Sequence, residues 1–157
     1  MMDEHGEHER RIKALPMNRY EKVLILLLRL DAILLLTALI PSMMPLAWMK
    51  EIHRHLGMGE LPDGPIIGYL TRSLSVMYAM HGAVLFFVSL DVRRFLPVVK
   101  FMAVLGILFG LWMTALDIVV GMPVFWIVYE GPVILLLCCV LLWLTGHVQS
   151  YEKEVQR

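Results

Sequence analysis

Four apolar segments, at residues 23–44, 66–90, 97–119 and 124–146, take up most of this 157-residue chain. Each is about 22–25 residues long, and a helix rising about 1.5 Å per residue needs roughly 20 to cross a bilayer's hydrocarbon core. In lipid no water pairs with a free backbone N–H or C=O, so such segments are helices rather than open strands. The sequence therefore predicts an all-α integral membrane protein, an antiparallel four-helix bundle. Its transmembrane domain spans 23–146, between a charged N-terminal segment, 1–22, and a polar tail, 147–157. The fourth segment contains Pro132. Two arrangements fit it: a full span kinked at that proline, or a shorter helix starting there beneath an outer cap.

Lys and Arg set the expected orientation. Arg10, Arg11, Lys13, Arg19 and Lys22 precede the first segment, Arg93, Arg94 and Lys100 follow the second, and Lys153 and Arg157 follow the fourth. The other side carries only Lys50 and Arg54, with none in the turn at 120–123. Both termini are expected in the cytoplasm. Residues 1–22, which begin MMDEHGEHERR, are not expected to be the n-region of a signal peptide: the stretch is long, carries five acids, and precedes an apolar block too long for an h-region, with no A-x-A site after it. A formal net charge of zero gives no reason to expect a nucleic-acid partner. The bilayer is the expected partner. Cys138 and Cys139 are adjacent inside an apolar block, a spacing for packing rather than for metal or disulfide chemistry.

The outer loop has its own pattern. Trp48, Ile52 and Leu56 recur every four residues among Lys50, Glu51, His53, Arg54 and His55. That predicts an interfacial helix near 45–57 lying on the outer surface. MPLAWM at 44–49 is echoed by MPVFWI at 122–127. Either a two-helix hairpin was duplicated, or both stretches put a helix-ending proline and an interfacial tryptophan at the same depth.

Charges inside the apolar segments are the candidate functional residues, because each costs at least about 3 kcal/mol at mid-bilayer. Arg72 and Glu130 lie six residues inside the second and fourth segments, about 9 Å deep from the same side. Asp117 is near the outer end of the third segment. One guanidinium can hold two carboxylates through its planar fork, so an Arg72–Asp117–Glu130 cluster is expected, with Tyr69, Ser73, Trp126 and Tyr129 at its level. Three roles are open to it: a structural clamp, the polar floor of a small-ligand site, or an acid/base pair. A carboxylate paired with arginine makes a poor general acid, which disfavours the third. On the second segment Thr71, Arg72, Ser75, Tyr78, Ala79, Gly82 and Ala83 share one arc, the small and polar face expected to meet other helices. GILFG at 106–110 is a GxxxG close-packing signal.

His81 projects from the opposite side of that helix, at a depth similar to Asp31 in the first segment, so an Asp31–His81 polar pair is expected. Arg29 can instead snorkel to the headgroups on its long stem. A bis-histidine haem lacks its second intramembrane histidine. His53 and His55 are two residues apart on a helix, and His5 and His8 lie across the membrane from them, so no metal and no cofactor are expected.

The order of features resembles the DoxX-like group of small four-helix bacterial membrane proteins and neighbouring uncharacterised families. The likeness rests on an arginine early in the first helix, YLTRS opening the second, SLDVRRFLP after it, and LDIVVGMPVFWIVYEGP between the third and fourth, over about residues 23–145. It implies a bacterial inner-membrane bundle without a settled activity. Some relatives of that group are described as accessory subunits of oxidoreductases, and more distant four-helix proteins act on sterol-like ligands, but no CxxC, flavin or quinone signature accompanies the likeness here. The expected function is a non-enzymatic accessory or structural membrane component, with a membrane-protein partner or a second copy. The alternative is a protein that binds, or acts on, a lipophilic or small anionic ligand at the outer-facing Arg72 site.

Overall fold

The computed structural model describes residues 16–155, and every regular element among them is helical. Residues 1–15, with His5 and His8, and residues 156–157 lie outside the described residues. The helices are α1 (Arg19–Leu36), α2 (Leu39–Met43), α3 (Leu46–His55), α4 (Pro65–Val88), α5 (Val92–Val120), α6 (Val124–Tyr129) and α7 (Gly131–Val155).

Among the described residues three stretches are long and apolar enough to cross a membrane: Arg19–Met43, Val92–Val120 and Val124–Tyr151. The expected second span, α4, has the length, at 24 residues. It is less apolar than the other three, because Arg72, His81 and five hydroxyl residues (Tyr69, Thr71, Ser73, Ser75 and Tyr78) interrupt it.

Helix boundaries follow local chemistry. α1 starts earlier than hydropathy suggests because Asn18 caps it, its side chain accepting from the Glu21 N–H at 2.8 Å. It breaks at Thr37 and Ala38, where Pro41 four residues on has no N–H to give the Thr37 carbonyl. α5 also starts early, at Val92, with Asp91 as its cap, so Pro97 sits inside the helix rather than opening it. α5 ends at Gly121, whose φ of 77° only glycine adopts cheaply, and the N–H groups of Gly121 and Met122 close on the Asp117 carbonyl. The chain after Met122 repeats the entry into α3. Pro45 and Pro123 have nearly identical extended conformations, and Trp48 and Trp126 each donate a backbone N–H to the proline carbonyl three residues earlier. The two Met-Pro-x-x-Trp stretches are thus the same helix-start device. Of the two arrangements for the fourth segment, the kinked span is the nearer: the helix breaks at Glu130, resumes at Gly131, and its pieces form one apolar stretch of 28 residues.

The long helices pack mainly in two pairs, α1 with α4 and α5 with α7, and α1 joins the pairs by lying on α7. α4 meets α5 only slightly. Glycine makes both close approaches possible. A Cβ on Gly82 would stand 2.8 Å from the Ala32 carbonyl oxygen, and one on Gly110 would stand 2.9 Å from that of Gly131. Gly106, the other glycine of the GxxxG, lies against Cys138. The expected small-residue contacts are therefore real packing surfaces. The apolar core lies at one end, among Leu24 and Leu28 of α1, Leu85 and Val88 of α4, Leu96 and Val99 of α5, and Leu144 and Val148 of α7. At the far end, which carries α2, α3 and α6, no apolar residue of comparable size is buried among the described residues. That is where the candidate residues lie.

Candidate functional site

The structure divides the expected cluster in two. Arg72 turns along α4 toward the α2–α3 elbow. One guanidinium nitrogen donates to the Gly68 carbonyl at 3.2 Å, the other to the Met44 carbonyl at 3.1 Å. Gly68 leaves room for this fold-back, since a Cβ there would come within 3.0 Å of the guanidinium. Met44 has left the helical ladder for extended backbone, which frees its carbonyl to accept. Among the described residues Arg72 forms no ion pair with Asp117 or Glu130. The expected three-residue ion cluster is corrected on this point. The reason lies in the pairing of helices: α4 leans on α1 and α2, whereas the acids belong to the α5–α7 pair.

Around Arg72 is a groove of about 770 Å³, walled by Leu46, Pro65, Tyr69, Val76 and Met77, with Ser73 beside the arginine. It is open and mostly apolar, and its size falls within the range of ligand pockets, about 300–1,000 Å³. Glu130 is not among its lining residues. Two of the guanidinium's five N–H donors are used, so others remain for a ligand.

The acids form the second group. Gly110 and Thr114 both press on Gly131, so Asp117, one turn further along the same face of α5, lies beside the α6–α7 break. Asp117 is 4% exposed, and its Oδ2 is buried with no hydrogen-bond partner among the described residues. Glu130, half-buried at the break, accepts from the indole N–H of Trp126 one turn earlier. Glu130 is within electrostatic reach of both Asp117 and Tyr78. Tyr129, expected at the same site, points largely outward at 73% exposure.

Asp31 and His81 are near enough to influence each other electrostatically, but no hydrogen bond or ion pair joins them. Their neighbours explain the gap. Gly82 is the residue pressed against α1, which leaves His81 on the exposed side while Asp31 stays half-buried. Arg29 reaches the end of α4 and lies 3.4 Å from the Ser89 hydroxyl oxygen.

On α3, the side chains of Trp48 and Ile52 are exposed, at 63% and 48%. The Arg54 hydrogen bond holds the Glu51 carboxyl below its ordinary range, with His55 adding to the effect. His53 and His55 bond locally, to the Gly59 carbonyl and to Glu51.

Sequence reasoning missed a buried charge contact. Glu21 and Arg93 make a two-pronged ion pair, Nε to Oε1 at 2.9 Å and the terminal nitrogen to Oε2 at 2.8 Å, with side chains 6% and 9% exposed. A signal was present. Glu21, Leu24, Leu28 and Ala32 fall on one helical stripe, and all four are buried. A carboxylate in phase with an apolar stripe requires a buried partner.

Comparison of the chain with protein-family models, with curated proteins and with solved structures finds no match. What the two groups can do is read from their own chemistry. Arg72 offers a cation to an apolar groove, and the acids offer negative charge with an unanswered oxygen.

Proposed function

We propose that this chain is a multi-pass protein of a bacterial inner membrane, a four-helix bundle with both termini in the cytoplasm. In this reading it is a non-enzymatic component that holds an anionic amphiphile in the Arg72 groove. The lysine and arginine distribution supports the orientation. The wide exposure of large apolar side chains along α1, α4, α5 and α7 supports a lipid surround. α4 joins the bundle despite its polar residues because Ala79 and Gly82 lie buried and Thr71, Ser75 and Tyr78 are half-buried. The layout shared with DoxX-like proteins supports the same class.

One observation carries the ligand reading. A guanidinium without an acid partner among the described residues stands in a groove with apolar walls. A fatty carboxylate or an anionic lipid would supply what is lacking, negative charge for the arginine and hydrocarbon for the walls. The test is native mass spectrometry of protein purified from its membrane in mild detergent. A co-purifying carboxylate or phosphate amphiphile is expected. Arg72→Gln should lose it, and Arg72→Lys, which keeps the charge but not the fork, should keep part of it. The same adduct on Arg72→Gln at equal occupancy would overturn the reading. A C-terminal reporter fusion checks the orientation.

A further inference from the structure

The acids at the far end of α5 raise a question the Arg72 groove does not answer. Asp117 is almost fully enclosed, yet its Oδ2 has no donor among the described residues. Leaving a buried carboxylate oxygen unpaired costs more than a typical hydrogen bond gains. The second acid, Glu130, is held in electrostatic reach by the α6–α7 break and steadied by the Trp126 indole. Like charges brought together away from water call for a positive charge between them. Arg72 could have supplied it but is committed to backbone carbonyls elsewhere.

The groups within electrostatic or hydrogen-bonding reach of Glu130, taken element by element, are Tyr78 from α4, Asp117 from α5, and Trp126 from α6. None of them is basic. Among the described residues no three or more His, Cys, Asp and Glu side chains gather to hold a metal ion. Two carboxylates, one bonded to an indole N–H and within electrostatic reach of a phenol, instead match an organic ammonium group. Such a cation is attracted to carboxylates and to aromatic faces alike, and needs no complete oxygen shell.

We infer that Asp117 and Glu130, with Tyr78 and Trp126, form a binding site for an organic ammonium group at the outer end of α5. The site does not rest on the Arg72 reading, since ligand charge and residues both differ. The ammonium can belong to a free amine or to a lipid headgroup such as phosphatidylethanolamine.

The test is calorimetric titration of the purified full-length protein, in a neutral maltoside detergent, with hexylammonium and hexyltrimethylammonium. Wild type is expected to bind with Kd below about 1 mM. Glu130→Gln, an isosteric change at a half-buried site, should weaken binding by at least about tenfold. Asp117→Asn should do the same where it folds, and Glu130→Gln decides where it does not. Glu60→Gln, an exposed loop carboxylate, should leave the affinity unchanged. No binding by wild type, or equal binding by wild type and Glu130→Gln, overturns the site. Equal weakening by Glu60→Gln also overturns it, because the attraction would then be general surface charge. Added phosphatidylethanolamine separates the sources: competition with hexylammonium assigns a lipid headgroup, and its absence a soluble amine.

Discussion

Glu21→Gln is a small change with a large expected effect. The side chain keeps its shape and loses its charge, leaving the Arg93 guanidinium facing a neutral amide. Both side chains are less than a tenth exposed, at 6% and 9%, and two short bonds join them. Removing one partner's charge from such a pair costs up to about 3–5 kcal/mol, and less where the remaining group keeps other contacts, as Arg93 does with the Pro16 carbonyl. For a chain of this size each kcal/mol moves the melting midpoint by roughly 2–4 °C, so a fall of up to roughly 6–20 °C is expected. Replacing both partners by apolar residues, Glu21→Leu with Arg93→Met, removes both buried charges and should recover part of that loss. Arg93 also donates to the Pro16 carbonyl at 3.3 Å, so its single substitution should cost somewhat more than that of Glu21. The assay is thermal unfolding of the four proteins in maltoside micelles, followed by size-exclusion fluorescence. If Glu21→Gln melts with wild type, or the double variant is worse than both singles, the pair is not the clamp that joins α1 to α5.

Gly110→Val should destabilise by about 1–3 kcal/mol or more, because the added Cβ would meet the Gly131 carbonyl and the Leu135 backbone nitrogen, neither of which can swing away; the same melting assay checks it. His81→Leu should change stability by no more than about 0.5 kcal/mol, since His81 is exposed and makes no hydrogen bond among the described residues. A large loss there would restore a structural Asp31–His81 pair. α3 should be pH-sensitive in one direction. The Glu51 carboxyl is held below its unfolded value, so its contribution is complete above that value and is lost as pH falls through the folded one. Hydrogen exchange along α3 should rise with acid in wild type and rise less in Glu51→Gln.

Much of the fold could be read because hydropathy is local. In an apolar surround, a run such as LILLLRLDAILLL must be helical whichever helices lie beside it. GILFG and the small-residue arc of α4 were legible for a similar reason: a side chain's absence is written in the sequence, and a close approach follows. Helix ends were less legible. Asn18 and Asp91 extend α1 and α5 beyond their apolar runs through caps, which hydropathy does not register. The Arg72 cluster failed because depth is not direction. Arg72, Asp117 and Glu130 sit at similar expected levels, but α4 is turned toward α1 and the α2–α3 elbow, where backbone carbonyls meet the guanidinium first. Asp31 and His81 show the same limit at smaller scale, where one glycine's contact moved the adjacent histidine off the interface.

By itself the sequence determined that the chain is helical, how long its helices are, where glycine lets them touch, and that an amphipathic α3 presents an apolar stripe. Those properties depend on neighbours in the chain and on solvent. Only the tertiary structure decided which charge answers which. It joined Glu21 to Arg93 across 72 residues, took Arg72 away from the acids, and enclosed an Asp117 oxygen that has no hydrogen-bond partner among the described residues. Charge pairing is set by helix rotation and by the order in which helices pack. Many side chains from distant positions fix both together, so no single stretch of sequence carries them.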